Sequence, residues 1–485
     1  MINWKLIAKI LGQLLILEAA VLMVCAIMSL LYHEPDTLAF DLAVIVTTVM
    51  GCVLQILGRN TTNSLNRRDA YLVVTLSWVI FSFFGAIPFV ASGYLTNPTD
   101  AYFETMSGFT TTGASLIDDV ESLPHALLFW RSTTQWIGGL GIVFFTIAII
   151  PSLIGGSVKV FSAEATGPMR SKLHPRLGTQ AKWIWGIYLF LTVVCALLFW
   201  IEGMSAFDAV NYAMTVTATG GFATHNGSTG FFHNSLIDYT AIFFMLISGI
   251  SFTLLYMTIW KRRFREFFDN SELRLFLLLI TAATIFILIT LMHSCDYDFA
   301  DALRYSLFQV VSFATTTGVF NDDAGQWPHI TWVVLSVLMF FGGCSGSTAG
   351  GFKCVRGIMV FEVIHNEIKH LLHPRSVLPV KVNGLAVPTS KQTTLLAFSG
   401  LYFLLCFVTY FIMTIIGVDS TNSFTISLSC ASNVGPTLGL EIGPTMSWAI
   451  LPDGIKWILS LLMLMGRLEI ITVVVIFTPS FWRDR

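Results

Sequence analysis

The chain has 485 residues, 55% of them hydrophobic and only 12% charged, against about a quarter charged in an ordinary soluble domain. A water-soluble globule is excluded, because 27 Lys and Arg with 29 Asp and Glu could not clothe the surfaces of the roughly two to four domains such a length implies. A formal net charge of -2 excludes the basic excess that a nucleic-acid partner requires.

Apolar runs of about 20 residues, long enough to cross a bilayer, fall near 10–32, 39–58, 71–93, 126–150, 183–203, 237–260, 273–294, 393–417 and 446–478. The first follows Lys5 and Lys9. It is longer than a signal-peptide core and lacks a clear cleavage site, so it reads as a first transmembrane helix. A tenth run, 329–364, is broken by glycines after Phe341, which leaves Thr331 to Phe341 and Val355 to Ile364 each too short to cross alone. Arg59, Arg67 and Arg68, then Lys159 to Lys182, the KRRFR at 261–265, and Lys369, Arg375, Lys381 and Lys391 occupy alternate connections. Those connections and both termini are therefore expected in the cytoplasm of a multi-pass cell inner (plasma) membrane protein. The opposite connections carry Arg304 as their one Lys or Arg, beside Asp100, Asp118, Asp119, Asp208, Asp322, Asp323, Asp419 and Glu441. They would draw cations in.

Four outer connections repeat one pattern, a short amphipathic piece followed by a small, threonine-rich, glycine-bearing loop, beginning at Asp100, Asp208, Asp301 and Ser420. The expected fold is an all-α polytopic membrane protein. A two-span lead, 1–69, precedes four span, half-helix, loop, span repeats at 70–160, 161–265, 266–375 and 376–485, set with pseudo-fourfold symmetry around one pore. Aligned on glycine, the loops read Thr110-Thr111-Thr112-Gly113, Thr217-Ala218-Thr219-Gly220, Thr315-Thr316-Thr317-Gly318 and Ser432-Asn433-Val434-Gly435. Extended backbone cannot bond its own carbonyls, and at membrane depth it is tolerated only where it lines water or is buried in protein. Stacked carbonyl rings that replace the hydration shell of a cation satisfy that requirement, so Thr111, Thr112, Gly113, Ala218, Thr219, Gly220, Thr316, Thr317, Gly318, Asn433, Val434 and Gly435 are the candidate filter.

These loops, with WIGGLGI at 136–142, GGCSGSTAGGFK at 342–353 and GRLEI at 466–470, resemble the Trk/Ktr/HKT superfamily of potassium transporters, most closely its bacterial TrkH-like members, over nearly the whole chain. The resemblance implies a single potassium filter lined by the four loop glycines, with Gly113 favouring potassium over sodium. The fourth loop departs most from that pattern. The resemblance also implies an intramembrane gate at Gly342, Gly343, Ser345, Gly346, Ser347, Thr348, Gly350 and Gly351. Arg467, a charge inside an apolar run and so a candidate to face a wet cavity, would stand just below the filter and limit flux. A homodimer and a cytoplasmic TrkA-like nucleotide-binding regulatory subunit are implied as partners, with potassium as cargo and no cofactor.

Lys353 and Arg356 are expected to snorkel toward the cytoplasmic interface, and Arg131 to reach the outer interface or pair with a loop acid. Two rival functions remain. Gly343-Cys344-Ser345-Gly346 spells the nucleophile signature of an intramembrane serine protease, but the histidines that follow are His365, His370 and His373, beside charged residues in an inner connection. Broken helices and repeats also mark ion-coupled secondary transporters, moving potassium with protons or sodium. Against obligatory proton coupling, no carboxylate is counted deep in a long span.

Overall fold

The computed structural model describes residues 2–61, 66–141, 177–376 and 378–483. Helices α1 (Trp4–Tyr32) and α2 (Thr37–Leu57) form the lead. They approach closely because Gly12 faces the Gly51 carbonyl, where any Cβ would collide; small residues are how helices without a hydrophobic drive between them come together in lipid. The far side of α2 exposes Leu38, Ile45, Val49 and Ile56, as a lipid-facing surface should.

Each of four units then supplies a first helix, a re-entrant half-helix and a second helix. The first helices are α3 (Arg67–Gly85, continued after a break by α4, Ile87–Ser92), α7 (Leu177–Ile201), α11 (Ser271–Ser294) and α15 (Thr389–Ile416). The half-helices are α5 (Pro98–Phe109), α8 (Ala206–Ala218), α12 (Phe299–Ala314) and α16 (Ser420–Ser432). The second helices are α6 (His125–Gly139), the pair α9 (Ser235–Gly249) and α10 (Phe252–Ile259), the pair α13 (His329–Phe341) and α14 (Cys354–Leu372), and the pair α17 (Asp453–Arg467) and α18 (Ile470–Val474). One buried apolar cluster joins the lead to the first and fourth units, and a second joins the second and third.

The apolar runs 237–260 and 446–478 were expected to cross unbroken, and they do not. The chain bends by 100° between α9 and α10 and by 117° after α17. The run 126–150 stops being helical at Gly139, and its remainder from residue 142 lies outside the described residues. All four second helices thus end after 13 to 15 residues, about 20–22 Å, short of a bilayer core of about 30 Å. The reason is packing: Gly138 abuts the Phe109 carbonyl, Gly249 abuts Thr315, and Gly466 abuts the Ala431 carbonyl, with no room for a Cβ. The second helices α6, α9 and α17 each run into the end of a half-helix, whereas α13 ends where Gly342 meets Gly350 and Gly351 of the segment that follows it.

Beyond α14, a two-stranded hairpin (β1, Lys381–Val382; β2, Leu385–Ala386) turns at Asn383-Gly384, both at positive φ. This is the residue pair a tight hairpin turn favours.

Candidate functional site

Every half-helix is started by a side-chain cap. Asn97 accepts from the Thr99 amide at 3.0 Å, Ser205 from Asp208 at 3.0 Å, Asp298 from Ala300 at 3.5 Å and Asp419 from Thr421 at 2.9 Å, satisfying amides a helix start leaves open. At the other end Thr111, Thr219, Thr316 and Asn433 take φ of 52°, 54°, 55° and 55°. The following amides then turn back onto the helix: Thr112 donates to the Ser107 carbonyl at 2.9 Å, Gly220 to Thr215 at 2.9 Å, Thr317 to Ser312 at 2.8 Å and Val434 to Ser429 at 3.0 Å. A glycine at positive φ closes each turn, Gly113 at 81°, Gly221 at 89°, Gly318 at 80° and Gly435 at 96°.

This backbone corrects the loop alignment in the second unit by one residue. Gly220 stands where Thr112, Thr317 and Val434 stand, and Gly221 is the counterpart of the other three glycines. Two adjacent glycines hide the register from the sequence. With the amides spent on the half-helices, the carbonyls of Thr111, Thr112, Thr219, Thr316, Thr317, Asn433 and Val434 receive no backbone hydrogen bond among the described residues. The Gly220 carbonyl instead accepts from Gln135 Nε2 at 2.7 Å, and Gln135 Oε1 accepts from the Phe222 amide at 3.0 Å. Gln135 is a loop-holding residue that sequence reasoning missed.

The four loops touch in cyclic order. A Cβ on Gly113 would overlap the carbonyl oxygen of Gly220, one on Gly221 that of Thr317, one on Gly318 that of Val434, and one on Gly435 that of Thr112. All four glycines line a single open cavity, together with Asp118, Arg131 and His225. Arg131 is buried and pairs with Glu104 of α5 at 2.9 Å, so its partner is an acid of a half-helix rather than the loop acid expected.

The segment between α13 and α14 lies against the undersides of these loops. The Gly350 amide donates to Thr316 Oγ1 at 2.6 Å, the Gly351 amide to the Ser432 carbonyl at 2.8 Å, and Thr348 Oγ1 to the Thr217 carbonyl at 3.2 Å. The segment also fills the break between α9 and α10: Cys344 donates to the Gly249 carbonyl at 2.9 Å, Thr348 to Ser248 at 3.3 Å, and Phe252 donates back to Gly346 at 3.0 Å. Gly342, Gly346 and Gly351 take positive φ, and Ser347 Oγ bonds the Cys344 carbonyl. Gly343 packs its α-carbon against Ala349 with no room for a Cβ.

Arg467 reaches the same segment. Its Nη1 donates to the Thr348 carbonyl at 2.8 Å, and its Nη2 donates to the carbonyls of Gly138 and, at 2.6 Å, Gly139. Three expectations are overturned nearby. Arg356 is buried, forms an ion pair with Glu469 and sits 4.0 Å over the Phe398 ring, and Lys353 is buried and bonds the Ala349 carbonyl; neither snorkels to an interface. Glu18 is a carboxylate deep in α1, 2% exposed, with neither oxygen hydrogen-bonded among the described residues. Ser345 Oγ likewise has no hydrogen-bond partner among the described residues, and His365, His370 and His373 lie exposed on and just beyond α14.

Residues 38–483 match the TrkH family model, described as a cation transport protein. The Trk system potassium uptake protein TrkH of Halomonas elongata is 37% identical over 481 residues, spanning 99% of each chain, and that of Escherichia coli strain K12 is 36% identical over 486 residues, spanning 99% of this chain and 100% of its own. The crystal structure of the potassium transporter TrkH from Vibrio parahaemolyticus has a TM-score of 0.90 at 33% identity, covering 99% of this chain and all of that one. With a polytopic helical fold and likeness along its full length to such proteins, the chain belongs to the TrkH family of cation transport proteins.

Proposed function

We propose that this protein carries potassium inward across the cell inner membrane through one central filter with pseudo-fourfold symmetry. The observation that carries the reading is the closed cycle of glycine-to-carbonyl contacts around one cavity. Carbonyls of Thr111, Thr112, Gly113, Thr219, Gly220, Gly221, Thr316, Thr317, Gly318, Asn433, Val434 and Gly435 replace the water around a dehydrated cation; Ala218, in the expected filter, falls one position before it, where its carbonyl accepts from Thr219 Oγ1. Half-helix carbonyl ends aimed at that point favour positive charge there. Residues 342–351 form the gate, which must leave its bonds to Thr217, Thr316 and Ser432 before an ion passes, and Arg467 holds it while adding a positive charge to the path. The membrane potential, worth roughly 2.3 kcal/mol per charge per 100 mV, drives uptake. Both termini face the cytoplasm, and the exposed arginines of 262–265 belong to the inner surface on which a TrkA-like nucleotide-binding regulator docks a homodimer.

Rubidium uptake into potassium-loaded vesicles containing the purified protein tests this. Uptake competed by external potassium and indifferent to equal sodium is expected; absence of monovalent flux would overturn it. A second reading, obligatory proton coupling, is favoured by Glu18. Under that reading Glu18→Gln abolishes the dependence of flux on an imposed pH gradient, whereas a channel-like filter gives no such dependence in either protein.

A further inference from the structure

Glu272, at the start of α11, is absent from every part of the pore just described, yet it clasps both ends of the broken segment. One carboxylate oxygen, Oε1, accepts from the Ser345 amide at 2.7 Å and from the Val355 amide at 3.2 Å. Val355 lies in the first turn of α14, whose preceding residue Lys353 provides no side-chain cap. Glu272 therefore supplies from another helix the anion that a helix start attracts. It is 8% exposed, and a bond from an amide to a buried carboxylate is among the stronger kinds.

The clasp is itself tied to the cytoplasmic hairpin. Asn383, at the hairpin turn, accepts from the amide of Ser271 at 2.7 Å and from its hydroxyl at 2.8 Å, one residue before Glu272. Val380, Val382 and Val387 around the hairpin pack with Val355 and Met359 of α14 in one buried cluster. The hairpin thus holds the two helix starts that Glu272 joins. The charged neighbour of the clasp is Lys353, which in turn lies near Arg356, Glu469 and Arg467.

We infer that Glu272 is a positioning residue of the gate, a latch that keeps the 342–353 segment seated, with the Asn383 turn as the point through which a force on the cytoplasmic face reaches it. The inference rests on the gate reading above only for its effect on flux. The latch itself is read from the chemistry of Cys344, which lies beside Ser345 and is 2% exposed.

The test is peptide-resolved labelling of the full chain in lipid vesicles with N-ethylmaleimide, for the parent, Glu272→Gln, Glu272→Ala and Asn383→Ala. Loss of two charge-assisted bonds is expected to speed Cys344 labelling by about tenfold or more in Glu272→Ala. Glu272→Gln, which keeps size and an acceptor oxygen but not charge, falls between parent and alanine; a packing role would leave it at the parent rate. Asn383→Ala gives a smaller rise. Cys430, fully buried in α16, stays unlabelled in all and distinguishes release of the segment from unfolding. Cys344 labelling at the parent rate in both Glu272→Ala and Asn383→Ala would overturn the latch. Faster labelling with unchanged basal rubidium efflux would keep the latch and discard the gate.

Discussion

Arg467 donates to the carbonyl of Thr348 across 2.8 Å, joining the end of α17 to the middle of the segment that lies beneath the four loops. The same guanidinium holds the carbonyls of Gly138 and Gly139, so one cation fastens the segment to the end of α6. Arg467→Ala removes three charge-assisted bonds and, on the proposed reading, a positive charge from the ion path. Basal rubidium flux should rise about tenfold, the equivalent of only 1.4 kcal/mol. A correctly inserted variant with reduced flux would contradict this.

The register of the second loop separates two glycines that look alike in sequence. At Gly221, φ is 89° and a side chain would meet the Thr317 backbone; at Gly220 the nearest atoms are the Gln135 side-chain amide, so a side chain there displaces that loop-holding group but meets no backbone. Gly221→Ala should therefore abolish uptake or assembly, with a cost on the order of 1–3 kcal/mol from backbone strain alone. Gly220→Ala, which disturbs the Gln135 bonds but meets neither backbone nor a positive φ, should do less damage and retain measurable uptake. Equal damage from both, measured by rubidium uptake per inserted molecule, would refute the register.

Gly113→Ser puts a side chain against the Gly220 carbonyl at a φ of 81°. The ring must widen there, and a looser carbonyl ring discriminates less between cations of different size. The potassium-over-sodium permeability ratio, from reversal potentials in mixed salt, should fall several-fold. An unchanged ratio would count against Gly113 as a filter residue.

Asp36, between α1 and α2, is buried beside Glu34, and burial pushes its carboxyl above the ordinary carboxylate range while a bond from Ser29 opposes the rise. The folded chain thus keeps a proton that the unfolded chain releases, and stability falls as pH rises from the ordinary carboxylate range through the raised value. Asp36→Asn should raise the thermal midpoint in detergent at neutral pH, with the advantage vanishing in acid. An advantage constant with pH would sink the assignment.

Much of this architecture was legible in the chain. Spans such as 273–294 and 393–417 fall within a few residues of α11 and α15, because continuous apolar runs of that length have one use in a membrane. The half-helices were legible from repetition, each loop supporting the other three. The bends after Gly249 and Leu468 were not, since each lies inside a run that is apolar as a whole despite Ser248 and Ser251 in one and Arg467 and Glu469 in the other, and hydropathy does not register direction. Glu272, Gln135 and the Arg356–Glu469 pair were invisible for a different reason: their partners lie 73 and 83 residues away for Glu272, 85 and 87 for Gln135 and 113 for Arg356, and a single sequence carries no trace of which distant groups meet. Glu18 was present to be read, and only its burial without a hydrogen bond among the described residues gives it weight.

The central claim is that one dehydrated monovalent cation sits among four loops of a single chain. Anomalous diffraction from crystals grown in rubidium or thallium measures it most directly. Anomalous peaks are expected inside the ring bounded by Gly113, Gly221, Gly318 and Gly435, within coordination distance of the carbonyls of Thr112, Thr317 and Val434. A protein active in rubidium uptake whose crystals carry the heavy cation elsewhere and none inside that ring would contradict it.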